Sequence, residues 1–355
     1  MMKAFSYLRH AVTGCGLLFT GLLLPSACIT EPEYDASPRG NFEALWTIMN
    51  DHYCFFREKQ VNWDSIHRVY APRFNNAMTD KQQFEVLADM LAELRDGHVN
   101  LTSSFNVARY WAFHENYPAN YSDTLIRCYL GTDYQIASGL KYRILDDNIG
   151  YIRCESFQNG IGDGNLDEVL LALQPCTALI IDLRNNGGGL ITSAEKLAAR
   201  FTNRPVEVGF VRHKTGRAHD AFSPMQRQVL KPARGIRWQK RVAVLTNRMV
   251  FSAANEFVKY MKYCPLATII GDRTGGGAGL PFSSELPNGW NVRFSACPMF
   301  DREGHSTEDG IAPDTTVSIT RFDFLRGQDT IIEAARKILA NINQPSAWEH
   351  ERAGR

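Results

Sequence analysis

The residues from Ala178 to Leu183 are apolar except for Asp182. They run through Arg184-Asn185-Asn186 into three consecutive glycines, Gly187 to Gly189. An apolar run this short reads as a strand buried on both faces, as in the middle of a parallel sheet. The glycines lack a Cβ, so the loop can turn tightly and bring its N–H groups close to another segment or a ligand. Helical spacing follows at once, in Ile191, Ala194, Leu197, Ala198 and Phe201. A parallel strand needs a crossover connection, so this strand, turn and helix commit the chain to an α/β core.

The pattern repeats on both sides. Tyr142 to Leu145 and Ile149 to Cys154 flank Asp147-Asn148 and predict a hairpin, and Leu166 to Leu173 predicts a helix. Val242 to Leu245 and Ala267 to Ile270 predict buried strands on either side of a helix from Ser252 to Tyr263. Asn288-Gly289, between Leu286 and the alternating Trp290, Val292 and Phe294, predicts a second hairpin. Val317 and Ile319 suggest a last strand, and Asp329 caps a closing helix carrying Ile332, Ala335, Leu339 and Ile342. The aromatic-rich stretch 101–142 has weak periodicity and gives no clear element.

Before the core, Phe42, Leu45, Trp46 and Met49 recur at helical spacing, with Asn41 placed as N-cap. Thr79 and Gln82 fit a capping box, followed by the stripe Phe84, Leu87, Ala88, Leu91 and Leu94. Further upstream, Lys3 and Arg9 precede an uncharged, mostly apolar stretch from Ala11 to Leu24, then Ser26, Ala27 and Cys28. That order describes a secretory signal, and a Cys directly after small residues suggests a lipobox. Pro25 is unusual there, which leaves an ordinary cut near Ala27, with Cys28 a free thiol, as the alternative. The expected organisation is a signal with lipobox over 1–28, a tether over 29–40, a helical region over 41–105, the core over 106–345 and a polar tail over 346–355. The expected location is the cell envelope, with the chain lipid-anchored at the periplasmic or outer-membrane surface.

The net charge is +1, which gives no electrostatic reason to expect nucleic acid as a partner. Export would permit disulfides, but the remaining cysteines form no C-x-x-C pair or zinc spacing, and most read as core thiols. No metal or cofactor is called for.

Three local features could carry chemistry. Ser252 opens a helix after an apolar strand and a short turn, so its hydroxyl sits at the positive end of a helix dipole. A serine there is also a preferred N-cap, and alone that plainer role is the stronger one. The glycine loop could supply oxyanion donors, or be only a tight turn or a phosphate nest. His98, in Leu94-Arg-Asp-Gly-His98, could be a general base or a structural histidine at a helix end. A Walker loop, His-Glu-x-x-His and Gly-x-Ser-x-Gly are all absent. The basic set Lys231, Arg234, Arg237, Lys240 and Arg241 reads as a solvated flank rather than a carboxylate site.

Taken together, LRDGHVNL (94–101), ALIIDLRNNGGG (178–189), VLTNRMVFSAANEF (244–257), IIGDRTGGGAG (269–279) and EDGIAPD (308–314) resemble, in order, the tail-specific, or C-terminal processing, serine peptidases and their tricorn-type relatives. The resemblance implies a ClpP/crotonase-like core with a helical N-terminal region, and a serine endopeptidase acting on peptides or unfolded protein through an acyl-enzyme. It places the nucleophile at Ser252 and oxyanion donors at the backbone of Ala253, Gly187 and Gly188. The tail-specific branch has a Lys base that would fall within Arg273 to Gly279, where this chain has none. The tricorn-type branch implies His98 as base and Glu308 as the late carboxylate, with Asp309 in reserve. That branch has a Ser directly before the His, where this chain has Gly97. The interval from His98 to Tyr142 is shorter than a PDZ domain, so none is expected. An inactive peptide- or ligand-binding lipoprotein of the same fold, or a crotonase-like thioester enzyme, would use the same loop.

Overall fold

The first described helix is α1, Pro38–His52, in a computed structural model that describes residues 33–341. The signal stretch with Cys28, the tail over 346–355 and Ile342 lie outside the described residues. Ser37, not Asn41, caps α1: Ser37 accepts from Gly40 N–H and Pro38 holds the first turn. Proline has no N–H to lose at that position, so the helix starts there and residues 38–40 are helix rather than tether. Asn41 is buried within α1 and accepts from Asn288 N–H, tying the helix to the distant hairpin.

α2 (Trp63–Tyr70) and α3 (Asp80–Ala92) complete the helical region, and the Thr79–Gln82 capping box is present in full. The chain then makes two short strands, β1 (Asn100–Thr102) and β2 (Val107–Arg109), followed by α4 (Asp123–Leu130). β3 (Gln135–Ala137), β4 (Leu140–Ile144) and β5 (Ile149–Cys154) follow, with Asn148 at positive φ in the turn before β5. After α5 (Asp163–Ala172) come β6 (Ala178–Asp182) and α6 (Ile191–Ala198), then β7 (Val206–Val211) and β8 (Gln226–Leu230). β9 (Val242–Thr246), α7 (Ala253–Lys262) and β10 (Ala267–Gly271) lead to the hairpin of β11 (Gly279–Glu285) and β12 (Asn291–Phe300). The last elements are β13 (Thr315–Thr316), α8 (Arg321–Leu325) and α9 (Thr330–Ala340). The final strand therefore precedes Val317 and Ile319, which instead pack against the core on the α4 and α9 side.

One sheet has the order β13-β10-β9-β6-β5-β4-β3. Its run from β13 to β5 is parallel, and β4 and β3 are antiparallel. Helices cover both faces. Ile181 and Val244 pack with α5, α6 and α7, whereas Ile180 and Leu245 pack with α4 and α9. This double burial is why β6 and β9 read as unbroken apolar runs.

The second sheet is antiparallel, in the order β2-β1-β12-β7-β8, with β11 also on β12. Its β12 residues Val292 and Phe294 share one apolar cluster with Leu45 of α1 and Phe84 and Leu87 of α3. β1 pairs with the distant β12, Asn100 lying opposite Arg293. Residue 105 is thus no break in packing: the helical region is clamped to the late hairpin, and the segment 94–99 is carried to the core.

Candidate active site

β6 and β9 are parallel neighbours, with Asp182 opposite Leu245. Their carboxyl ends therefore launch the glycine loop and the Ser252 turn side by side. In α/β sheets this is where ligands are bound. A Cβ on Gly188 would lie 2.7 Å from Phe251 O, 2.8 Å from Ser252 Cβ and 2.9 Å from Ala253 N, so the loop rests directly on the serine turn and needs glycine there. Gly188 also has φ +96, in the left-handed region.

Ser252 does not behave as an ordinary cap. It has φ 58 and ψ −125, a strained backbone for a residue with a side chain, and its hydroxyl makes no capping bond to α7. Ser252 N–H donates to Gly276 O at 2.8 Å, which holds the turn. The hydroxyl is aimed instead at His98: Oγ lies 2.9 Å from Nε2.

His98 follows α3 in the turn before β1. It is 3% exposed. Its N–H donates to Asp96 Oδ1 at 2.7 Å, and its carbonyl accepts from Asn100 Nδ2 at 2.7 Å. The ring packs on Phe251 at 4.8 Å between centroids. Burial pushes His98 down to about 4, against the opposing charge of Asp96, so near neutral pH the ring is uncharged and able to accept a proton.

Gly97, at the position where the tricorn-type branch has a serine, faces this packing. A Cβ there would lie 2.9 Å from Phe251 Cζ, and one on Gly277 would lie 2.5 Å from the same atom. The Phe251 ring, stacked on Phe113 at 4.8 Å, fills the space next to both positions.

Glu308 is not bonded to His98. Its Oε1 pairs with Lys59 Nζ at 3.1 Å and its Oε2 accepts from Ala278 N–H at 2.8 Å. His98 Nδ1 has no hydrogen-bond partner among the described residues. Burial, then the nearby Asp96, push the Glu308 carboxyl up to about 8, against the pull of Lys59. Asp309 supplies only its backbone carbonyl, which accepts from Arg248.

The oxyanion donors also separate. Gly188 N–H is committed to Asn186 Oδ1 at 2.9 Å, a local side-chain turn that removes it from use. The N–H groups of Gly187 and Ala253 have no such acceptor among the described residues, and Gly187 faces open space. Ala253 is the first residue of α7, where helix N–H groups are orphaned by geometry. Ala253 directly follows Ser252, and the loop that carries Gly187 rests on the serine turn at Gly188.

The basic set is dispersed rather than clustered: Lys240 bonds the carbonyls of Gln174 and Cys176, while Arg241 bonds that of Asn341. Cys54, Cys154, Cys176, Cys264 and Cys297 are buried free thiols and Cys128 is exposed.

Sequence reasoning did not single out Tyr53, Lys59 or Asp96, all grouped behind His98. A buried acid two residues before a candidate base was the one available signal.

The chain matches the profile of Peptidase family S41 over residues 148–317 and that of the tricorn protease C1 domain over residues 34–92. A protein of Parabacteroides merdae ATCC 43184, provisionally described as a peptidase, is 49% identical; the match covers 86% of this chain and 98% of that one, with TM-score 0.82. A probable CtpA-like serine protease of Staphylococcus epidermidis (strain ATCC 12228 / FDA PCI 1200) is 27% identical over 181 residues, 50% of this chain and 35% of that protein. The chain thus matches about a third of the length of such curated relatives. Mature CPAF, 13% identical with TM-score 0.65 over 85% of this chain and 96% of that one, shares the fold.

Proposed function

The chain belongs to peptidase family S41, and from that premise we propose that it is a serine endopeptidase in which His98 activates Ser252. The observation that carries this is the 2.9 Å approach of Oγ to a neutral, buried imidazole from a serine held at φ 58. A serine kept strained and uncapped at a helix start is aimed outward at a cost in stability, which favours a reactive role over a structural one.

Nε2 of His98 takes the Ser252 proton as Oγ attacks the peptide carbonyl. We assign the N–H groups of Ala253 and Gly187 as donors to the developing oxyanion, supported by their lack of an acceptor among the described residues, and the α7 dipole adds to their field. The protonated ring then gives its proton to the leaving amine. Water repeats the cycle on the acyl-enzyme. Glu308 belongs to the same buried cluster and enters through its neighbours Lys59 and Asp96 rather than by a direct bond to the ring.

The substrate is an extended or unfolded polypeptide. β2 is an edge strand, paired only with β1 among the described residues, and Phe105, Val107 and Trp111 stand exposed around it. A groove of about 500 Å³ between α3 and β2, lined by Leu91, Val99, Leu101 and Tyr110, begins one residue from His98. An added strand there would gain main-chain hydrogen bonds without sequence preference.

We place the chain at the cell envelope on the Lys3-to-Cys28 pattern, with Cys28 as the acylated residue. Labelled palmitate should enter the wild type and not Cys28→Ala. For the activity, a denatured, fluorophore-labelled polypeptide should be cut by the wild type and left intact by Ser252→Ala. Equal cutting by both would overturn the assignment.

A further inference from the structure

Behind His98, on the side away from Ser252, three buried polar atoms have no hydrogen bond of ordinary geometry among the described residues: His98 Nδ1, Asp96 Oδ2 and the Tyr53 hydroxyl, the last close enough to Asp96 for the pair to raise the phenol. Tyr53 and Asp96 are both 0% exposed. Orphaned buried polar atoms are rare, and each costs stability unless it serves a purpose. These three are also complementary. A neutral imidazole can donate from Nδ1 and the Tyr53 phenol can donate its proton, while the carboxylate oxygen only accepts.

Asp96 is at the centre of the group. It is the strongest charged influence on His98, on Tyr53 and on Glu308 alike. Its other oxygen already receives the His98 N–H, which fixes carboxylate and ring in one tight turn. The other charged groups acting on His98 are the cations Lys59, from the segment between α1 and α2, and Arg293, from β12. Lys59 Nζ is anchored to Glu308 and to the Arg95 carbonyl. Glu308, pushed up to about 8 and bonded on both oxygens, is poorly placed to serve the ring.

We propose that Asp96 is the positioning residue of His98: one shared ordered water accepts hydrogen bonds from His98 Nδ1–H and the Tyr53 phenol and donates one to Asp96 Oδ2, which keeps Nε2 free to take the Ser252 proton. A buried water commonly makes about three hydrogen bonds to otherwise unpaired groups, and here the Asp96 charge acts on both the His98 ring and Tyr53. The inference rests on the reading of His98 as the base.

The sharpest test is Asp96→Asn in the full chain. If the asparagine oxygen keeps the His98 N–H, its NH2 takes the place of Oδ2. The water then receives the amide N–H as well as the phenol and donates to Nδ1, so the ring carries its proton on Nε2. Nitrogen-15 spectra of histidine-labelled protein, with His98 assigned by comparison with His98→Ala, read this directly. The expected result is Nδ1–H in the wild type and in Glu308→Gln, and Nε2–H in Asp96→Asn. With the switch, kcat/KM should fall on the order of 10³ to 10⁴-fold, as when a triad carboxylate is neutralised. An Nδ1–H ring that persists in Asp96→Asn, or one that switches in Glu308→Gln, overturns the proposal. If Asp96→Asn does not fold, the wild type still decides: Nε2–H there contradicts it. The tautomer can be read whether or not the chain cuts peptides, so a wild type that cuts nothing sinks the peptidase reading separately.

Discussion

Two buried charge clusters in this molecule are built alike and finished differently. At the carboxyl end of β6, Arg184 is 0% exposed and pairs with Asp182 at 2.6 Å and with Asp329 at 2.8 Å. Tyr151 donates to Asp182 at 2.8 Å, and Asp329 also caps α9. The charged ends of Asp182, Arg184 and Asp329 are all bonded, although Nε of the neighbouring Arg153 has no partner among the described residues. Burial pushes Asp182 up, but Arg184 and Arg153 overcome this and hold its carboxyl below the usual range. Around His98, by contrast, Tyr53 and Asp96 are as deeply buried and Glu308 and Lys59 somewhat less so, at 7% and 11% exposed, and three polar atoms lack a protein partner among the described residues. A cluster closed by its own side chains fixes one geometry. One that leaves three groups to a shared water, as proposed above, ties the base to a partner that can reorient, which a purely structural cluster does not require.

The difference can be broken at several points. The largest effect expected is on turnover: Ser252→Ala should lower kcat by about 10⁶-fold, as in a serine peptidase stripped of its nucleophile. Its melting temperature should change little, because the hydroxyl caps nothing and gives up only its bond to His98. Arg184→Met should do the reverse. Removing one partner from a buried ion cluster costs about 3–5 kcal/mol, visible in urea unfolding.

One substitution made in both clusters sharpens the contrast. Tyr151→Phe removes a hydrogen bond to a charged acceptor and should cost about 1.5–3 kcal/mol. Tyr53→Phe removes a hydroxyl without a protein partner, so its stability should stay within about 1 kcal/mol while kcat/KM drops. Equal destabilisation by the two would erase the distinction.

The smallest effect is one of pH. His98 sits below its ordinary 6.5, at about 4, so the acid limb of kcat/KM should centre near 4. A folded-state value below the unfolded one means that His98's contribution to stability is present above 6.5 and lost as pH falls through 4. An acid limb at 6.5 would mean that the ring is far more solvated than the structure has it.

The elements easiest to read from sequence were those with a single demand on them. β6 and β9 are buried on both faces, so their apolar runs could hardly be anything else, and Asn288-Gly289 admits little but a turn. β1 and β2 escaped because three residues carry no period; what makes them strands is β12, far along the chain. β8 has largely polar, exposed residues and gains its order from pairing with β7. Asn41 looked like a cap because its chemistry fits one, but Ser37-Pro38 fits better and frees Asn41 to hold the hairpin.

The site divides the same way. The glycine loop is written locally, whereas the His98–Ser252 contact spans 154 residues and was reached only through a family resemblance. Nothing in the local pattern reveals that Ser252 adopts positive φ. Nor does it reveal that Gly188 spends its N–H on Asn186, or that Asp96 rather than Glu308 adjoins the ring.

The most direct measurement is to treat the folded protein with a fluorophosphonate and locate the adduct by mass spectrometry. A single adduct on Ser252, absent in Ser252→Ala and formed far more slowly in His98→Ala, is the result expected of an imidazole-activated serine. No adduct on Ser252, or one formed equally fast without His98, would contradict it.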